Sequence, residues 1–328
     1  MKRVIIDCDP GNGIAGANVD DGLALALALA CPEISLELIT TVSGNTESDT
    51  GYAVAYDLLA RTGRSVELAR GASRALIEPT QPWREHLDHK VDQTCLRGLW
   101  HNVPSPPRIP DVPPLAVQKM GELICANPGE ITLIAIGPLT NLALAMQLYP
   151  TLAGMVKEIV IMGGVFQVEG FLKDTNFGID PEAAHAVLTS GANIVLVPMD
   201  VTTQTMMTHR DLDTLADEHN PLSHFLLETL RPWIDFSMQT RQLPGCWIHD
   251  ALTVAWLIDP TLVSTVQDYV DVSLSGLTRG KSCRYGPQSL RLAVNMPAPA
   301  GKPVTLLQSV DNAGLLKLIE KTIGQFTR

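Results

Sequence analysis

Between positions 4 and 60 the chain has no lysine or arginine, no two of its cysteines stand at C-x-x-C spacing, and no apolar run is long enough to cross a bilayer. Each absence excludes a class of protein. Six cysteines, at positions 8, 31, 95, 125, 246 and 283 of 328, form neither a disulfide framework nor a zinc cluster, which fits reduced thiols in a cytoplasmic protein. The longest apolar stretch, LALALALAC at 23–31, falls short of the roughly 20 residues a spanning helix needs, so it reads as a buried helix and no membrane partner is expected. Met1-Lys2-Arg3 opens like a secretory leader, but Asp7 interrupts the apolar run after three residues, so nothing directs export. A net charge of −11 and a pI near 5.1 leave no general basic face for nucleic acid or an anionic membrane.

What is present is a hydrophobic content of 45%, enough for a substantial core. Short β-rich runs at 3–7, 34–42, 65–69, 131–136, 158–162 and 193–199 alternate with helical segments opening near Asp20, Ser48, Pro113, Pro138, Asp180 and Thr208. This alternation predicts an α/β fold, a single domain with an open, mainly parallel sheet flanked by helices. Residues 208–242 read as one or two helices, the chain restarts as a helix near His249 and Asp250, and the last sixty residues read as a few strands and a final helix. The proline-rich stretch 71–112, with two tryptophans and three histidines, shows no sustained period and reads as an irregular cover over a site. In open α/β sheets ligands bind beyond the carboxyl ends of the strands. That rule gathers Asp7, Asp9, Ser43-Gly44-Asn45, Ile136-Gly137, Met162-Gly163-Gly164 and Asp200 along one edge.

The segment IIDCDPGNGIAGANVDDGLALALALA at 5–30 carries two incompatible signatures. Gly11, Gly13 and Gly16 spell G-x-G-x-x-G, yet Asp7, Asp9, Asp20 and Asp21 surround them. A pyrophosphate is an anion that binds a helix N-terminus, and here that terminus already carries two carboxylates; the second strand ends in ITTVSGN instead of an acidic residue for a ribose. Asp20 and Asp21 could serve simply as helix caps. Four aspartates around one loop with no local cation would instead raise each other's pKa unless a positive ion sat among them, and oxygen ligands favour a hard one, Ca²⁺ or Mg²⁺. A Mg²⁺-dependent phosphatase with Asp7 as aspartyl nucleophile is a rival reading, although Lys157 and Lys173 are poorly placed to receive a phosphate.

With DCDPG, VDDGLAL, TTVSGN, IAIGPLTNLALA, IMGG, TNFGIDPEAAHAV, MDVT, HDALTVAWLIDP and GLTRG in this order, nearly the whole chain resembles the inosine–uridine-preferring nucleoside hydrolases. The resemblance implies Ca²⁺-dependent hydrolysis of the N-glycosidic bond of ribonucleosides, a small-molecule substrate and a homo-oligomer, dimer or tetramer. It implies that Asp9, Asp21, Asp250 and the carbonyl of Ile136 hold the metal, with Asp9 also the general base toward a metal-bound water. Asp20 and Asp250 would grip the ribose hydroxyls, Asn45 and Asn176 would contact the sugar, with Asn45 also in the catalytic set, and Met162 would floor it. Asp7 would orient the loop from behind, and His249 would give the departing base a proton.

The chain departs from the family pattern in several places. Eight residues, NGIAGANV, separate Gly11 from Asp20 where the family has one. Asp174-Thr175-Asn176 replaces a glutamate-led triplet, which leaves Asp174 as a shorter substrate contact, and Glu169 or Lys173 stands in for a missing 5′-side asparagine. The lid lacks its histidine-glycine element, leaving His86, His89, Trp83 and Trp100 as base-pocket candidates beside Trp233, Asp235, Phe236, Gln239 and Arg241. The base is open: purine, pyrimidine or modified. A protein that binds nucleosides around a stabilising calcium without cleaving them is the remaining alternative.

Overall fold

The computed structural model describes residues 1–286 and 299–327. Its strands are β1 (Lys2–Cys8), β2 (Ile34–Thr41), β3 (Glu67–Arg70), β4 (Ile131–Ala135), β5 (Glu158–Met162), β6 (Ile194–Val197), β7 (Val263–Val272), β8 (Ser282–Tyr285) and β9 (Val304–Val310). They form one sheet in the order β3-β2-β1-β4-β5-β6-β9-β7-β8. From β3 to β9 neighbours run parallel, while β7 lies antiparallel to both β9 and β8. The expected α/β domain with an open, mainly parallel sheet is therefore the observed one.

The central strands are apolar on both faces because helices cover both, the usual state of parallel strands. Alternate residues of β1 feed two layers: Val4, Ile6 and Cys8 join the core under helices Asp20–Ala30, Ser48–Thr62, Pro221–Arg241, Ala251–Ile258 and Asn312–Gly324. Ile5 points the other way, into the layer packed by helices Ala116–Ala126, Thr140–Leu148 and Pro181–Leu188. Each such fully buried side chain contributes about 1.5–3 kcal/mol. Helix Asp20–Ala30 needs no polar face, since all but one of its residues are buried. Among the described residues no helix is long and apolar enough to cross a membrane.

The chain winds outward from β1 through β2 to β3 on one side and through β4 and β5 to β6 on the other. This reversal opens a crevice beyond the carboxyl ends of β1 and β4, where open α/β sheets bind ligands.

Three sequence expectations shift. The run 193–199 is strand only to Val197, because Pro198 turns the chain into the short helix Met199–Thr202. The helix expected near Pro113 begins at Ala116, after both prolines. The stretch 71–112 is not wholly irregular: it contains helix Thr80–Thr94 and the 3-10 turn Arg97–Trp100. That helix buries only Arg84 and Val91, so it has no apolar stripe to betray a 3.6-residue period. The expected C-terminal strands and final helix are present as β7, β8, β9 and Asn312–Gly324, while the part of that expectation on 287–298 lies outside the described residues.

Candidate active site

Asp9 follows the end of β1 and projects between two other strand ends. A β-carbon on Gly44 would lie 2.0 Å from Asp9 Oδ2, and one on Gly137 would lie 3.1 Å from Oδ1, so the glycines after β2 and β4 make room for this carboxylate. The Asn45 N–H donates to Asp9 Oδ2 in a short contact, and the Asp9 N–H donates to Asp21 Oδ1 at 2.9 Å. Asp21 and Asp20 open helix Asp20–Ala30; Asp20 Oδ2 accepts the N–H of Asp250, 230 positions away, at 3.2 Å.

Carboxylate oxygens of Asp20, Asp21 and Asp250 lie within 4.8 Å of one another, and all three residues are buried. The required convergence of Asp21 and Asp250 from opposite ends of the chain is thus observed. Asp9 joins this trio through its hydrogen bond to Asp21. Burial, joined by repulsion from neighbouring carboxylates, pushes Asp9 up to about 7 and lifts Asp21 and Asp250 well above the carboxylate range, and burial raises Asp20 to about 6. Among the described residues Asp20 Oδ1 has no hydrogen-bond partner, and none of the four carboxylates forms an ion pair. Buried, converging, unneutralised oxygens fit a hard divalent cation.

The remaining expected residues divide by position. Asp20, Asn45, Ile136, Met162, Asp174, Asn176, His249 and Asp250 line one cavity together with Asp9 and Asp21. Asn176 Nδ2 donates to the carbonyls of Ile136 and Met162, at 2.9 and 3.0 Å, and so ties the cavity floor together. Asp174 caps helix Thr175–Ile179 with Oδ1 and leaves Oδ2 unpartnered; burial lifts it to about 6. His249 Nδ1 is 2.6 Å from Thr202 Oγ1, and burial, aided by the charge of Arg241, pushes the imidazole down to about 3, so the ring is neutral. A Thr202 hydroxyl donating to Nδ1 puts the ring proton on Nε2.

Asp7 and Asp200 do not reach the cavity. Asp7 is fully buried, accepting from Thr40 Oγ1 at 2.6 Å and Asn141 Nδ2 at 2.8 Å, which removes it as an aspartyl nucleophile and with it the phosphatase reading. Asp200 accepts the N–H groups of Phe166 and Gln167 and holds the turn after β5. Of the base-pocket candidates, Trp233 and Arg241 line the cavity; His86, His89, Trp83 and Trp100 do not. Asp235 pairs with His209 at 2.7 Å, Phe236 is buried against Trp100, and Gln239 is exposed. On the 5′ side Lys173 lines the cavity and Glu169 does not.

Several contributors were not visible beforehand. Arg84, on the helix without an apolar stripe, donates to the carbonyls of Gly44 and Asn45 at 2.7 and 2.9 Å, and its charge faces Asp9. Lys90 on the same helix lines the cavity, as do Phe171 and Trp247. The inserted residues 12–19 grip the site from the side. Asn18 and Asn45 bond reciprocally, Asn18 N–H to Asn45 Oδ1 at 3.0 Å and Asn45 Nδ2 to Asn18 O at 2.8 Å. Gly16, at φ +81°, sits where a β-carbon would meet the β-carbon of Val91 at 2.6 Å, so the insertion packs directly beneath the covering helix.

Comparison with known proteins gives the family. The sequence profile described as inosine-uridine preferring nucleoside hydrolase matches residues 4–317. A probable uridine nucleosidase 2 from Arabidopsis thaliana is 33% identical over 97% of this chain and 96% of its own length. A pyrimidine-specific ribonucleoside hydrolase RihA from Enterobacter sp. (strain 638) is 31% identical over 99% of this chain and 98% of its own. Among solved structures, a plant nucleoside hydrolase superposes with a TM-score of 0.82 at 28% identity, covering 98% of both chains. A purine-preferring ribonucleoside hydrolase from Gardnerella vaginalis gives 0.79 at 27%, covering 99% of both.

Proposed function

The chain belongs to the inosine–uridine-preferring nucleoside hydrolase family and is a ribonucleoside hydrolase, and from that premise we propose a calcium-dependent enzyme that cleaves the N-glycosidic bond of pyrimidine ribonucleosides. Asp9, Asp21, Asp250 and the Ile136 carbonyl would hold the ion. Bound calcium would supply a Lewis acid that, together with a carboxylate base, makes a water nucleophilic near neutral pH.

The chain's own residues do the rest. Asp9, steadied by the Asn45 N–H, takes the proton of the attacking water. The unpartnered Oδ1 of Asp20 and Oδ2 of Asp174 accept sugar hydroxyls, and Met162, Asn45 and Asn176 set the floor and wall on which the ring rests. As the bond breaks, the sugar gains oxocarbenium character, which the surrounding carboxylates stabilise. His249, neutral and oriented by Thr202, donates a hydrogen bond from its other ring nitrogen to the departing base.

The observation that carries this reading is the set of buried carboxylate oxygens that converge, among the described residues, without an ion pair. The preference for a pyrimidine is supported by the names of the two curated relatives. Scattered cysteines and the family resemblance support a cytoplasmic homo-oligomer, which size-exclusion chromatography with light scattering would test.

The decisive assay measures free ribose released from a panel of ribonucleosides, with and without chelator, by the native protein and Asp9→Ala. Ribose and free base should appear, and both chelator and the substitution should suppress them. Turnover indifferent to chelator would remove calcium from the mechanism, and tight binding without turnover would reduce the protein to a nucleoside binder.

A further inference from the structure

Two cations that the proposed reaction does not use face the same cavity. Lys90 comes from helix Thr80–Thr94 and Arg241 is the last residue of helix Pro221–Arg241. Among the described residues neither has a carboxylate within ion-pair distance or a hydrogen-bond acceptor. Arg3, Arg84 and Arg279, by contrast, are each held by acidic side chains. Arg241 lies over aromatic faces, its guanidinium 5.3 Å from the ring centres of both Trp233 and Trp247, and Lys90 lies 6.0 Å from that of Phe236.

The pair sits beside His249, whose ring is 5.7 Å from Trp247 and feels the charge of Arg241. It therefore borders the departing base. Burial, and next the charge of Arg241, push Lys90 down to about 8. The charge of Asp20 also reaches Arg241, but that carboxylate belongs to the acidic cluster and makes no ion pair with it. Holding two like charges together at a half-buried site is unfavourable unless an anion enters between them. Uracil offers them only neutral carbonyl oxygens. A carboxylate matches the planar fork of a guanidinium and accepts a second, point-like charge from an ammonium.

We propose that the favoured substrate is a pyrimidine ribonucleoside whose base carries a carboxylate, received by Lys90 and Arg241. This inference rests on the ribonucleoside hydrolase reading above and names the substrate class of the same cavity.

The test compares kcat/KM for uridine, uridine 5-carboxylate, uridine 6-carboxylate and uridine 5′-monophosphate on the native protein, Lys90→Met, Arg241→Met and Lys90→Arg. At least one ring carboxylate should exceed uridine by about tenfold or more, the effect of a hydrogen bond to a charged group. Lys90→Met and Arg241→Met should each reduce that ratio by about as much, while Lys90→Arg, which keeps the charge, should preserve most of it. A native ratio at or below one, a ratio untouched by both methionine substitutions, or a gain for the 5′-phosphate alone would each overturn the proposal. A binding measurement works without turnover: tryptophan fluorescence of the native protein titrated with uracil and with its 5- and 6-carboxylates. Tighter binding of a carboxylate supports the site, and equal or weaker binding of both overturns it. Failure of every riboside to release ribose would sink the hydrolase reading alone, because the fluorescence titration still decides this one.

Discussion

The two ends of β1 handle charge in opposite ways. At its start, Arg3 reaches Glu37 and Glu130 at 2.5 Å each, with the guanidinium and both carboxylates partly exposed. Beyond its other end, Asp9 shares a buried cluster with Asp20, Asp21 and Asp250, with no ion pair among the described residues. Opposite charges paired in water stabilise a strand end modestly and do little else. Like charges gathered out of water are unfavourable by themselves, and their persistence at the crevice of the sheet marks the end that binds something.

The comparison can be broken most directly at Asp9. Asp9→Asn keeps the shape of the side chain but removes its basicity, and kcat for ribose release should fall by about 10²–10⁴-fold. A loss under threefold would make the acidic end as passive as the Arg3 end. Next comes calcium itself. At an ion concentration about 100 times Kd, binding should add about 2.7 kcal/mol to unfolding stability, read from urea melts, and Asp250→Asn should abolish most of that gain. A gain retained in full would place the ion elsewhere.

Asn141 sharpens the comparison from beneath. Its Nδ2 supports both Asp7 and the Thr41 carbonyl, so Asn141→Ala should cost about 1–3 kcal/mol in stability, and it should lower kcat through misplacement of the loop that follows Asp7. A stability loss with unchanged kinetics would confine Asp7 to a purely architectural role. The smallest effect is expected at the other end of the strand. Arg3→Gln should leave kcat alone and shift the melting temperature less than Asn141→Ala does, and a larger shift would mean that the exposed network matters more than its solvent contact implies.

Much of the fold was legible because its signals are local. Strands such as Ile131–Ala135 and Glu158–Met162 are short apolar runs whose bounds follow from the residues around them. The helices after Asp180, Thr208 and Asp311 announce themselves by side chains that accept from their own first turn. Helix Thr80–Thr94 was hidden for the converse reason. It lies on the surface with two buried residues, and its sequence has no periodic pattern to read. With it were hidden Arg84 and Lys90, which reach the site from the cover.

The sequence by itself determined that this protein has an acidic, cation-poor N-terminal loop, an open parallel α/β architecture and the motif order of a nucleoside hydrolase, because composition, period and spacing are properties of neighbouring residues. Only the tertiary structure decided which charges share a cavity. It placed Asp250 against Asp20, sank Asp7 out of reach, turned Asn45 toward the inserted loop and set Lys90 beside Arg241. Desolvation and Coulomb forces depend on distance in space, and the crossings of the sheet bring together groups that the chain keeps far apart.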